Sequence, residues 1–120
     1  MDIPYITIDK NKIQQVFLNI ILNSIDAMPG GGDLMIRTYT EQRRDYEKWV
    51  TVQIEDTGTG IPEGAAEKIF EPFFTTKHAG AGYGLGLPTV KNIIEMHGGK
   101  INISNKTAGN GAVAIISLKA

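Results

Sequence analysis

The sequence predicts an α+β fold, a two-layer sandwich in which a mixed, mostly antiparallel sheet of about five strands carries helices on one face. Three observations lead there. Two stretches have the period of helices, one after Asp9 and one from Pro88. The alternating segments come as neighbours with short connections, which suits hairpins. At 120 residues the chain is long enough for one core and too short for two.

Residues 5–8 read as a short first strand, and Asp9 as the N-cap of the helical pattern that follows. That helix is expected to run to about Met28, stopped by Pro29 and the run Gly30, Gly31, Gly32. Leu34, Ile36 and Thr38 alternate with Met35, Arg37 and Tyr39, as in a strand. Residues 41–48 are dense in charge and read as a solvated hairpin connection, with residues 49–56 as the second strand of the pair. Residues 63–69 can form a short helix after Pro62, and residues 71–83, without regular period, read as a loop. Residues 88–97 are helical, with proline near the start and Gly98 and Gly99 past the end. Residues 100–105 and 112–118 are the last two strands, turned around Gly109, Asn110 and Gly111.

Composition narrows the function classes. Hydrophobic residues make up 42% and charged residues 21%, as in ordinary globular domains. Twelve basic and thirteen acidic residues leave a net charge of −1, so no general attraction to nucleic acid is expected. With no cysteine, disulfides and thiolate metal sites are excluded. No apolar stretch approaches a membrane span and no signal peptide opens the chain, so a cytoplasmic domain without membrane contact is expected.

Three places break the ordinary patterns. On the first helix, Gln15, Asn19, Asn23 and Asp26 fall within an arc of roughly 80°, while apolar residues fill much of the rest. Two asparagines one turn apart on so narrow a stripe read either as a solvent edge or as amides lining a cavity. Next, Asp56 shares its strand face with Val50, Val52 and Ile54, so a carboxylate points inward where it needs hydrogen bonds. Gly58 and Gly60 after it allow a sharp turn, and a plain turn is the competing reading. Finally, Gly80, Gly82, Gly84 and Gly86 run into a helix start, where backbone N–H groups and the helix dipole favour an anion. The spacing fits neither G-x-G-x-x-G nor G-x-x-x-x-G-K-[ST], so Rossmann and P-loop readings fail.

In order along the chain, these segments resemble the four boxes of the GHKL ATP-binding superfamily, the Bergerat fold. They are most similar to the catalytic and ATP-binding domain of bacterial sensor histidine kinases. QQVFLNIILNSIDAM resembles the N box, EDTGTGIP the G1 box, IFEPFFTTK the F box, and GYGLGLPTVKNIIEMHGG the G2 box with its helix. Each box alone is suggestive; four in order over nearly the whole chain are specific.

The resemblance implies ATP bound with Mg2+, ADP as product, and transfer of the γ-phosphoryl group to a protein histidine. It implies that Asn23 is the Mg2+ ligand, with Asn19 lining the same pocket, and that Asp56 accepts a hydrogen bond from the adenine amino group. Gly58, Gly60 and Ile61 then shape the adenine pocket. Gly82, Gly84 and Gly86 wrap the phosphates, with Tyr83, Leu85 and Leu87 among them and a lid over residues 75–83 that includes Thr76 and Lys77. Phe70, Phe73 and Phe74 anchor the lid base or serve as plain core aromatics.

The departures matter too. Many histidine kinases carry a lysine and an aromatic residue where this chain has Asp26 and Ala27, which leaves Lys77 as the nearest replacement cation. Asn19 stands where ATPases of the superfamily place a water-activating glutamate, and an amide cannot act as that base. Only His78 and His97 occur, and neither matches an acceptor: His97 closes a helix and His78 lies in the lid. The expectation is therefore that residues 1–120 form one domain of a longer kinase, whose histidine-bearing dimerisation domain is the partner, with a response regulator downstream. Rival readings are a GHKL ATPase, an anti-sigma-type protein-serine kinase, and a non-catalytic nucleotide-binding module. An aspartic protease, to which Asp56-Thr57-Gly58 also points, needs an all-β homodimer, and two helical patterns oppose that.

Overall fold

The computed structural model describes residues 5–44, 46–62, 68–70 and 86–120. They form α1 (Lys10–Asp26), β1 (Leu34–Arg43), β2 (Glu47–Asp56), α2 (Leu87–Met96), β3 (Lys100–Asn105) and β4 (Ala112–Lys119). The four strands make one sheet in the order β1-β2-β4-β3, and every pairing is antiparallel. The expected mixed character is thus absent among the described residues.

Register builds the core. Val50 faces Leu118, Val52 faces Ile116 and Ile54 faces Ala114, while Ile101 and Ile103 extend two of these rows onto β3. Ile13, Val16 and Ile20 of α1 and Val90, Ile93 and Ile94 of α2 bury against that face. Each such side chain contributes about 1.5–3 kcal/mol by leaving water. The opposite face carries no helix among the described residues.

Three boundaries differ from the sequence reading, each for a physical reason. Residues 5–9 form no strand: Ile6 packs on the core, but the backbone there finds no ladder. Helix α1 starts as expected, with the Asp9 carboxylate accepting from Lys12 N at 3.1 Å, yet it ends at Asp26. The carbonyl of Ala27 is taken by Thr59 N at 2.9 Å, so the loop after β2 stops the helix before Pro29 can. The charged stretch 41–48 is mostly strand among the described residues, with residues 44 and 46 in turn. Its charges pair on the helix-free face instead, with the Arg43 guanidinium 4.4 Å from the Trp49 ring centre and Lys119 3.4 Å from Glu47.

Candidate functional site

The site grows from the end of β2. Asp56 is only 4% exposed, so its carboxylate needs partners, and Oδ1 accepts from Gly58 N at 2.9 Å and Ala112 N at 3.2 Å. Among the described residues Oδ2 accepts none of the hydrogen bonds, which leaves one carboxylate oxygen for a donor from outside. Gly111 makes this possible. At φ +116° it comes so close to the Asp56 carbonyl that a Cβ would sit 1.9 Å from that oxygen.

Residues 57–61 then cross the end of the sheet. Gly58 lies against α1, where a Cβ would meet the Ala27 carbonyl oxygen at 2.3 Å. Helix packing is therefore one reason for this glycine, beyond the pocket wall that the resemblance implies. Gly60 takes φ +76°, and Ile61 is clamped by Asn105, whose Oδ1 accepts from Ile61 N at 2.7 Å while its Nδ2 donates to Ile61 O at 3.0 Å.

Asn19 and Asn23 lie on the α1 face that ends at Ala27, because residues four apart stack along a helix. That face therefore runs into the Asp56 loop. Asn19 is 4% exposed, and its Oδ1 accepts from Asn23 Nδ2 at 2.9 Å. Its own Nδ2 is buried without a partner among the described residues. Turning both amides over reverses the bond and presents an oxygen where that nitrogen stands. Asp26, half-buried, is the last residue of α1.

Gly86 is the N-cap of α2 and Leu87 its first residue. The helix start has fewer free donors than expected: Pro88 has no N–H, and Thr89 N already bonds Gly86 O at 3.1 Å. Leu87 turns toward the core. Half-buried Phe70 stands beside α2, with the Lys91 ammonium 5.4 Å from its ring centre. Residues 68–70 are turn, and residues 63–67, where most of the expected short helix falls, lie outside the described residues. Thr76, Lys77, His78, Gly82, Tyr83, Gly84 and Leu85, with Phe73, Phe74 and the rest of the lid, lie outside the described residues. A shallow depression of about 450 Å³, lined by Met28, Gly31, Thr57, Thr59 and Asn110 among others, borders the loop; Asp56, Asn19 and Asn23 do not line it.

His97 has a structural task. Its Nε2 accepts from Asp9 N at 3.0 Å, so Nδ1 carries the proton and donates to Ile93 O at 2.7 Å, tying the end of α2 to the cap of α1. Asn105 and Gly111 were missed as site residues. The signal for Asn105 was weak: it follows Ile101 and Ile103 at period two and so shares the parity of the inward face, but at the strand's end it is exposed, unlike Asp56.

Among the described residues no cluster of three His, Cys, Asp or Glu side chains could hold a metal, and no helix is long and apolar enough to cross a membrane.

Comparison with known proteins agrees with this fold. Residues 8–120 match the family described as histidine kinase-, DNA gyrase B-, and HSP90-like ATPase. The sensor kinase CckA of Brucella abortus is 46% identical over 103 residues, 78% of this chain and 11% of that protein. Sporulation kinase A of Bacillus subtilis is 44% identical over 104 residues, 87% of this chain and 16% of its own length. The chain thus spans a small fraction of these relatives. Among solved structures, the mycobacterial sensor histidine kinase MprB superposes with a TM-score of 0.79 at 28% identity, covering 95% of this chain and 76% of that one. The catalytic domain of histidine kinase ThkA gives 0.71 at 39% identity, over 94% of this chain and 69% of that one. Fold and sequence agree: the chain belongs to the family of histidine kinase-, DNA gyrase B- and HSP90-like ATPases.

Proposed function

We propose that this chain binds ATP with Mg2+ and donates the γ-phosphoryl group to a histidine on a separate helical dimerisation domain, leaving ADP. The observation that carries this reading is buried Asn19, bonded to half-buried Asn23 on the helix face that ends against the Asp56 loop. Around it the roles divide. Asp56 Oδ2 accepts from the adenine amino group, because Oδ1 is already held by two backbone amides. The orphaned buried amide position at Asn19 suits an oxygen ligand set, and Asn23 is the residue that holds Mg2+. Mg2+, when bound, offsets phosphate charge. The N–H of Leu87 at the start of α2 faces the anion, and Gly82, Gly84 and Gly86 follow the phosphates, with Lys77 as the cation that Asp26 and Ala27 do not supply.

Transfer is favoured over hydrolysis because Asn19 cannot take a proton from water. The names of the relatives, sensor and sporulation kinases, support the same choice. By this reading residues 1–120 are one domain of a longer cytoplasmic or membrane-anchored kinase, its partners a histidine-bearing dimerisation domain and a response regulator. The experiment joins this chain to the histidine-bearing domain of a relative and supplies γ-labelled ATP. Acid-labile label on the histidine, lost in Asn23→Ala, is the expected result. Free phosphate without labelled protein means an ATPase. Binding without either product means a non-catalytic module, the second reading, which the Asp26 and Ala27 departures favour.

A further inference from the structure

We propose that Asn105 is a positioning residue for the nucleotide, holding the far end of the loop whose near end Asp56 holds. Asn105 faces Ala112 in the ladder, and the register of β2 with β4, continued by one pair, brings Asp56 to the other side of the same Ala112. The last row of the sheet is therefore Leu34, Asp56, Ala112 and Asn105, with Asp56 and Asn105 about 10 Å apart and of the same inward parity. The loop 57–61 spans that gap. Asp56 grips its start through Gly58 N, α1 grips its middle through Thr59 N, and Asn105 grips its end through both backbone groups of Ile61.

Gly60 belongs to this clamp. A Cβ there would stand 2.6 Å from Asn105 Oδ1, and φ +76° already disfavours any other residue. Asparagine suits the task because one amide both accepts from an N–H and donates to a carbonyl, as the two groups of one residue require. Serine or aspartate can do only one of these well. Among the described residues no other hydrogen bond holds residues 60 and 61. They are residues to which the resemblance gives the adenine wall, and this inference rests on the ATP binding of the proposed function.

The test is Asn105→Ala in this chain, read by ATP titration and by amide hydrogen exchange. ATP affinity is expected to fall about tenfold, the order of two lost hydrogen bonds. The Ile61 amide should exchange faster while the Thr59 amide, bonded to Ala27, stays protected. Affinity within twofold of wild type overturns the inference. So does loss of protection at Thr59 and the core amides together with Ile61, which marks a general folding role. In the Gly60→Ala background, Asn105→Ala should cost less than in wild type, since both act on one contact; strictly additive losses contradict the shared clamp. Wild type failing to bind ATP, or Asp56→Asn binding as well as wild type, defeats the proposed function instead, and the Ile61 exchange result stays readable.

Discussion

Two buried polar clusters sit on opposite faces of the sheet, and they differ in one respect. On the helix-free face Thr51 and Ser117 face each other across β2 and β4, and their hydroxyls bond at 3.1 Å with the Arg43 guanidinium 3.4 Å from Ser117. On the helix-covered side Asn19 is as deeply buried as Ser117, yet it keeps a polar nitrogen without a partner among the described residues. Complete satisfaction is what a structural polar pair needs; incomplete satisfaction costs stability and persists where a ligand completes it. An orphan alone is not enough. Thr40 Oγ1 also lacks a partner among the described residues, but it lies about 20 Å along β1 from the Asp56 row. Asn19 counts because its helix face ends at the Asp56 loop.

The largest test of this contrast strikes the Asp56 row. Gly111→Ala should lower stability by about 3 kcal/mol or more, from a φ of +116° and the blocked approach to the Asp56 carbonyl, as urea unfolding will show. A stability change under 1 kcal/mol contradicts the packing described. Next in size, Asn23→Ala should remove about tenfold of ATP affinity in Mg2+ and almost none in its absence. An equal loss in both conditions removes the ion from Asn23. The third test sets the two clusters against each other. Asn19→Leu should raise the stability of the nucleotide-free chain by about 1 kcal/mol while weakening ATP, and Thr51→Val should lower it by about 1 kcal/mol while leaving ATP unchanged. Same-signed changes break the comparison.

The smallest effect is on pH. The Trp49 indole N–H, with Lys119 beside it, holds the Glu47 carboxyl below the usual carboxylate range. A depressed folded value means that the contribution is present above the unfolded value and lost as pH falls through the folded one. A carboxyl-carbon titration of Glu47 should therefore show its midpoint below that of a free glutamate, and Trp49→Phe should raise it. A midpoint at or above the free value contradicts the contact.

What was legible in the sequence follows the same division. Inward Asp56 and the Asn19–Asn23 stripe could be read because period and polarity conflict locally, within one strand or one turn of helix. The Asn105 clamp went unread, since an exposed asparagine at a strand's end is ordinary and its partner Ile61 lies 44 positions away. The early end of α1 was not legible at all, because the capping donor Thr59 comes from another element. Charge density misled over residues 41–48: charged side chains read as loop when a helix-free sheet face and Trp49 give them partners. The strand expected at residues 5–8 failed because a strand needs a neighbour as well as an alternating pattern.

The most direct measurement of the central claim is calorimetric titration of ATP, in Mg2+, into this chain and into Asp56→Asn. If Asp56 Oδ2 is the adenine acceptor, wild type binds and the variant loses about a hundredfold, since an amide donor replaces an ionic acceptor while the backbone bonds to the other oxygen can survive. Equal affinity in the two would mean that the end of β2 is a buried turn and that the nucleotide, if held, is held elsewhere.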